Sequence, residues 1–205
     1  MATTETQSVH NELIRIIQQQ KAKEEQQDIW KDSPYKDLVK LQSNNVGNVG
    51  EALIDSICKI AKIPSNCDGS KTKKVGGGEG DGNIKGMTVE IKTAHQGSKG
   101  SSFQHELGEL PWKAKYMIFI DISPTCIYIT IFKNFSESTY RSKAKLPSIF
   151  PTKKATWRKG TGAFKLDTTV NINSESVKNG HAIKIEPTTP NQIEVVAAFI
   201  KSKIV

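Results

Sequence analysis

The sequence predicts an α/β (α+β) layered fold, and three observations carry that reading: helical periodicity in its N-terminal part, several short β-branched runs in its middle, and an amphipathic closing segment. The chain has 205 residues, a length that suits one globular domain.

The segment from Ser8 to Trp30 places Leu13, Ile14 and Ile17, and later Ile29 and Trp30, among Gln, Glu and Lys. This predicts a helix with a narrow apolar stripe that covers a core face. Ser33-Pro34 has the form of an N-cap followed by proline, opening a short helix through Leu38 and Leu41, and Asn44 and Asn45 then punctuate the chain. From Val46 to Ile63 the residues Val49, Leu53, Ile57 and Ile60 recur at helical spacing, with Gly47 and Gly50 as a smooth spot near the start.

A loop rich in Pro, Ser, Asn and Gly follows, and five of the seven residues from Gly76 to Gly82 are glycine. Such a run serves either as a flexible linker or as backbone that must approach something closely. Three runs then read as core strands: Asn83 to Thr93 with a turn at Lys85-Gly86, Tyr116 to Ser123, and Ile127 to Phe132, the last two separated by Pro124. Phe103 to Leu110 is expected to form a short helix ended by Pro111, His181 to Glu186 a strand, and Asn191 to Lys203 a closing helix.

Lys and Arg outnumber Asp and Glu by 29 to 21, a formal charge of +8, which points to an anionic polymer as partner. Nearly all of the surplus lies between Lys143 and Lys165, where Lys143, Lys145, Lys153, Lys154, Arg158, Lys159 and Lys165 occur with no acidic residue. With Phe150, Trp157, Phe164, Gly160 and Gly162 interleaved, this tract reads as a loop or β-ribbon along phosphates, or as a solvated basic loop. The apolar runs are far shorter than the ~20 residues that span a bilayer, and the N-terminus lacks an apolar signal core. A cytoplasmic protein is expected. Cys58, Cys67 and Cys126 form no C-x-x-C pair, so reduced thiols are expected in place of a disulfide framework or a cysteine zinc site.

The stretch GDGNIKGMTVEIK carries the chemistry. Residues two apart in a strand share a face, so Glu90 and Lys92 stand side by side while Val89 and Ile91 face the apolar side. A turn at Lys85-Gly86 makes the flanking segments antiparallel neighbours and brings Asp81 near Glu90. Two carboxylates beside a lysine suit Mg²⁺, or Mn²⁺ as a substitute, and such an ion lowers the pKa of a bound water and neutralises charge on a phosphate. Lys92 can then orient that water and stabilise the phosphate. Glu79, also flanked by glycines, is a rival for the role of Asp81. The alternative is an ordinary exposed Glu90–Lys92 strand pair, with Asp81 a turn residue that bonds backbone. His95, His105 and His181 lack the close spacing of metal-ligand pairs.

With Asp81, Glu90 and Lys92 in this order, the sequence resembles the PD-(D/E)xK nuclease superfamily over about residues 46–132. The usual proline before the aspartate is replaced by Gly80, and Glu51, in GNVGEALID, matches the glutamate that a preceding helix often adds. The resemblance implies a restriction-endonuclease-like core, a central mixed β-sheet flanked by α-helices, within a single nuclease domain. Its parts would be an N-terminal helical segment (1–45), the catalytic core (46–132) and a DNA-recognition and C-terminal segment (133–205). It further implies Asp81, Glu90, Glu51 and the Ile91 carbonyl as metal ligands and Lys92 as the residue that positions the water. Gln104 corresponds to a polar residue on the helix after the E-x-K strand.

The function implied is a type II restriction endonuclease that hydrolyses double-stranded DNA with Mg²⁺ and leaves 5′-phosphate and 3′-hydroxyl ends. It would act as a homodimer, with a cognate DNA methyltransferase acting on the same site. Lys99, Ser101, Gln104, Lys153, Lys154, Arg158 and Lys159 are candidates for contacts with DNA, although the loop around Lys99 also reads as plain mobile chain. The alternatives are a structure-selective nuclease of the Holliday-junction resolvase kind and a non-catalytic DNA-binding protein.

Overall fold

A computed structural model describes residues 9–67, 80–97, 99–100, 102–108, 112–135, 155–158 and 163–205. In chain order the elements are α1 (Val9–Gln27), a 3-10 turn (Leu38–Lys40), α2 (Ser43–Ile60), β1 (Ser65–Asn66), β2 (Gly82–Ile84), β3 (Met87–His95) and β4 (Phe103–Glu106). They continue with β5 (Tyr116–Ile122), β6 (Ile127–Lys133), β7 (Ala155–Arg158), β8 (Ala163–Thr168), α3 (Val170–Lys178), β9 (Ala182–Ile185) and α4 (Gln192–Lys203).

Six strands form a mixed central sheet in the order β1-β2-β3-β5-β6-β9, in which only β3 and β5 run parallel. A second, antiparallel sheet has the order β4-β8-β7. The mixed α/β architecture with a helix-flanked mixed sheet is the predicted class. The basic tract contributes a β-ribbon where it is described, in β7 and β8.

Every residue of β5 is buried, which explains its unbroken apolar run: a central strand covered on both faces has no solvent side on which to alternate. Ile118, Ile120 and Ile122 pack in a core with Trp30, Ile54 and Ile57 and with Val196 and Ile200 of α4. Met117 and Phe119, on the other face, pack with Leu107, Phe135 and Leu166 beneath the second sheet.

Several expectations need correction. Phe103 to Leu110 does not begin a helix: Phe103, His105 and Leu107 are buried while Gln104 and Glu106 are exposed. That is a period of two, and β8 supplies the pairing partner. After Ser33-Pro34 no α-helix forms, only turns and the 3-10 segment, although the Ser33 hydroxyl accepts from Tyr35 N–H as a cap would; it also donates to the Pro124 carbonyl across the fold. Helix α1 forms, yet none of its residues is buried, and the core contact expected of its stripe is made by Trp30 just beyond it, whose Nε1 donates to Gln96 O. Helix α3 was not anticipated, since its Val, Asn, Ile and Ser are weak helix formers; Thr169, whose hydroxyl accepts from Ile172 N–H, was the visible N-cap.

Helix α2 exists, but its buried face is not the expected stripe: Val49 and Ile60 are exposed, and Val46, Gly50, Ile54, Ile57 and Cys58 are buried. The burial axis is turned by about one residue, some 100°, because Gly50 is the point of closest approach to β3. A Cβ on Gly50 would lie 1.8 Å from Thr93 Oγ1 and 2.9 Å from Thr93 Cβ. The three cysteines are free and buried, and burial pushes the Cys58 thiol up to about 11 and that of Cys67 to about 12, so both stay protonated.

Gly50→Ala tests the helix–sheet contact. The alanine gains roughly 1 kcal/mol of helix propensity, whereas overpacking a core costs about 1 to 3 kcal/mol; with overlap this deep, a net loss of about 1 to 2 kcal/mol in urea unfolding is expected. Pairing it with Thr93→Ala should recover part of that loss, and strict additivity of the two changes would contradict the contact.

Candidate active site

The site grows from the β2–β3 hairpin. Lys85 and Gly86 sit at φ 53 and 77 between the paired residues Ile84 and Met87, as a two-residue turn with two left-handed positions requires. This brings Gly80 and Asp81 against the backbone of Val89 to Ile91. Gly80 has φ 102, and a Cβ there would stand 2.3 Å from the Val89 carbonyl oxygen. Proline, fixed near φ of about −65°, cannot take this position.

Asp81 N–H donates to Val89 O at 2.8 Å, and the Asp81 carboxylate accepts from Ile91 N–H at 2.7 Å, so Asp81 brackets Glu90 along the strand. Its buried side chain stands in for the next pairing residue, just before β2 begins at Gly82. An extended residue directs its N–H and C=O to the same edge, and the Ile91 carbonyl therefore projects to this edge as well.

On β3, Val89 and Ile91 are buried and Glu90 and Lys92 alternate with them on the other face, as the spacing predicted. Lys92 Nζ and Glu90 Oε1 form an ion pair at 2.5 Å, with about a fifth of each side chain exposed. Buried Glu51 comes from α2, which packs on the opposite face. Glu51, Asp81, Ile91, Lys92 and Gln104 line one open cleft of about 600 Å³, bounded by the first turns of α2 on one side and by β4 on the other. Glu90 does not line it; its carboxylate is engaged by Lys92.

Gln104 belongs to this cleft from a strand and not from a helix as expected, and its Nε2 donates to Asp167 Oδ1 at 3.2 Å. Lys99 is exposed elsewhere, beside Lys21 and Asp28 at the end of α1. Glu79, Ser101, Lys153, Lys154 and Lys159 lie outside the described residues, as do the side chains of Trp157 and Arg158.

Sequence reasoning passed over His105 and Asp121. The wholly buried His105 lines the cleft, and its Nε2 meets Asp121 Oδ1 at 2.6 Å. Asp121 Oδ2 accepts from Thr168 Oγ1 at 2.5 Å and from Asn173 Nδ2 at 2.7 Å. With its acceptor-only carboxylate so engaged, Asp121 assigns the ring proton to Nε2. His105 Nδ1 is then a buried nitrogen with no hydrogen-bond partner, a condition that costs about 1 to 3 kcal/mol. The one visible signal was an aspartate inside the apolar run of β5.

Among the described residues, no three His, Cys, Asp or Glu side chains gather to enclose a metal ion. Mg²⁺ does not require such a cage, since it binds through one or two carboxylates and keeps several waters. Asp81 and Glu51, with the Ile91 carbonyl, are a hard-oxygen donor set that fits an open, hydrated Mg²⁺ site. No protein family, curated protein or solved structure matches the chain.

The Asp81–Ile91 bond makes a separate structural prediction. Asp81→Ala leaves the buried Ile91 N–H without an acceptor and should cost about 1 to 3 kcal/mol in denaturant unfolding, whereas Asp81→Asn keeps an acceptor oxygen and should cost clearly less. Equal losses in the two variants would remove the bond from the account.

Proposed function

We propose that the protein is a Mg²⁺-dependent DNA endonuclease of the type II restriction kind. The observation that supports this reading best is the meeting of Glu51, Asp81 and Lys92 in one open polar cleft, beside the start of β2. These are three chemically complementary groups drawn from a helix, a loop end and a strand.

On this reading Asp81, Glu51 and the Ile91 carbonyl hold Mg²⁺, with Glu90 joining when its carboxylate leaves Lys92. The bound ion supplies a water of lowered pKa and neutralises charge on the phosphate. Lys92 orients the attacking water and faces the developing phosphate charge. The water oxygen bonds to phosphorus, the bond from phosphorus to the 3′ oxygen breaks, and that oxygen takes up a proton. The products are a 5′-phosphate and a 3′-hydroxyl. Asp81 also fixes the edge geometry through Val89 O and Ile91 N–H, so the backbone is held just before and just after Glu90 along that edge.

One observation favours a non-catalytic DNA-binding protein instead: Asp81 is bonded to backbone and Glu90 to Lys92, which are structural uses of the same groups. The two readings part on metal dependence. Incubated with long phage-type DNA and Mg²⁺, the protein is expected to give discrete fragments, and none with EDTA. Glu90→Ala and Lys92→Ala should lower cleavage about a hundredfold or more while DNA binding persists. Wild-type turnover in either variant, or DNA left intact by the unaltered protein, would sink the nuclease reading.

A further inference from the structure

We propose that His105, held by Asp121, accepts the proton of the attacking water through Nδ1. The inference rests on the nuclease reading and fills a role that reading leaves open.

A water that attacks phosphorus has to give up a proton. Lys92 can orient the water but cannot take that proton, because in its ion pair with Glu90 it is an ammonium, with three donors and no lone pair. Asp81 and Glu51 are, on the same reading, committed to the metal. Among the described residues, two buried side-chain atoms lack a hydrogen-bond partner, Thr93 Oγ1 and His105 Nδ1, and both residues line this cleft. An orphaned buried polar atom calls for an explanation, and a catalytic use is one. Of the two groups, only the imidazole is a usual general base.

The strand register puts this ring beside Lys92. Lys92 of β3 pairs with Phe119 of β5, and the His105 ring meets the Phe119 ring edge-on, with centroids 5.1 Å apart. Asp121, two residues on and so on the same face of β5, binds the ring at Nε2. Asp121 also accepts from Thr168 and Asn173, which keeps it an acceptor and keeps the ring proton on Nε2. Nδ1 therefore carries a lone pair, which repels a phosphate oxygen and suits a donor such as water. Glu106 lines the cleft as well, but it is exposed and alternates with His105 on β4.

In the step, one O–H bond of the water breaks and its proton passes to Nδ1 as the water oxygen bonds to phosphorus. The ring becomes an imidazolium, stabilised by the Asp121 carboxylate. The bond to the 3′ oxygen breaks with its electron pair, and that oxygen takes a proton from a second water. The hydroxide so formed is neutralised by the proton that Nδ1 later releases. His105 is thus a catalytic residue and Asp121 a positioning residue.

Nitrogen-15 NMR of the His105 ring in the unaltered protein should show Nε2 protonated and Nδ1 bare. Asp121→Asn, whose amide can donate to Nε2, should move the proton to Nδ1. His105→Gln keeps a donor for Asp121 but no base. Both variants are expected to lower single-turnover cleavage with Mg²⁺ by about a hundredfold or more, while affinity for a short DNA duplex, measured with Ca²⁺ in place of Mg²⁺, changes less than about twofold. A proton on Nδ1 in the unaltered protein would overturn the proposal even if neither variant folds. Cleavage at the unaltered rate by folded His105→Gln, an equal loss of rate and affinity, or a loss confined to Glu106→Gln would overturn it too, and the nuclease reading would stand. If the unaltered protein leaves DNA intact with Mg²⁺, the nuclease reading fails and this proposal with it.

Discussion

Asp121 is a charge taken out of water in the middle of the central sheet, and the way it is satisfied determines much of the molecule. Burying a lone carboxylate costs several kcal/mol, even after relaxation. Here the charge is met by the His105 imidazole from β4, the Thr168 hydroxyl from the end of β8, and the Asn173 amide from α3. Each donor belongs to a different element, so one side chain of β5 fastens the second sheet and α3 to the first sheet. The wall that β4 gives to the cleft follows from this arrangement. Leu107, Met117, Phe119, Phe135 and Leu166 add apolar contact beside it, but such contact is non-directional and does not fix where β4 lies.

The opposite margin of the cleft obeys a second constraint, the need of a sheet edge to dispose of its backbone groups. β2 is only three residues long and β3 is nine, so among the described residues the edge of β3 runs on past β2. Asp81 answers the first vacancy with its carboxylate, and Gly80, at a φ that other residues rarely adopt, permits the close passage that puts it there. Beyond Ile91 the edge opens into the cleft. A short strand beside a long one thus generates a polar recess, and Gly50 lets α2 approach closely enough to roof it.

Much of this was legible from the residues. The Lys85-Gly86 turn, the alternation about Glu90 and Lys92, the double burial of β5 and the helix carrying Glu51 all follow from local rules of turn chemistry and period. The failures share a physical cause. Residues 103–106 read as helix because four residues cannot establish a period, and only the distant pairing with β8 decides the matter. The stripe of α1 looked like a core face because periodicity reports amphipathicity and not what covers it. The rotation of α2 depended on a contact between Gly50 and Thr93, which no spacing encodes. In the cleft, His105 was set aside for want of a close metal-ligand spacing, and its bond to Asp121, sixteen residues away in sequence, could not be read from the residues.

The distribution of charge bears on how a polyanion could use this cleft. The whole chain is basic at +8, yet the described cleft residues include Glu51, Asp81 and Glu106 against Lys92 alone among cations. By formal charge alone, a phosphate backbone entering the cleft meets more carboxylates than cations among the described residues. The positive end of α2 adds only a fractional charge, about half an elementary charge. On the nuclease reading a divalent cation held by Asp81 and Glu51 would supply the remainder, and bound cations are often the largest local charges in such a site. On the nuclease reading, metal dependence is thus a condition of substrate entry as well as of chemistry, and the basic surplus carried elsewhere on the chain serves encounter with DNA and not the reaction itself.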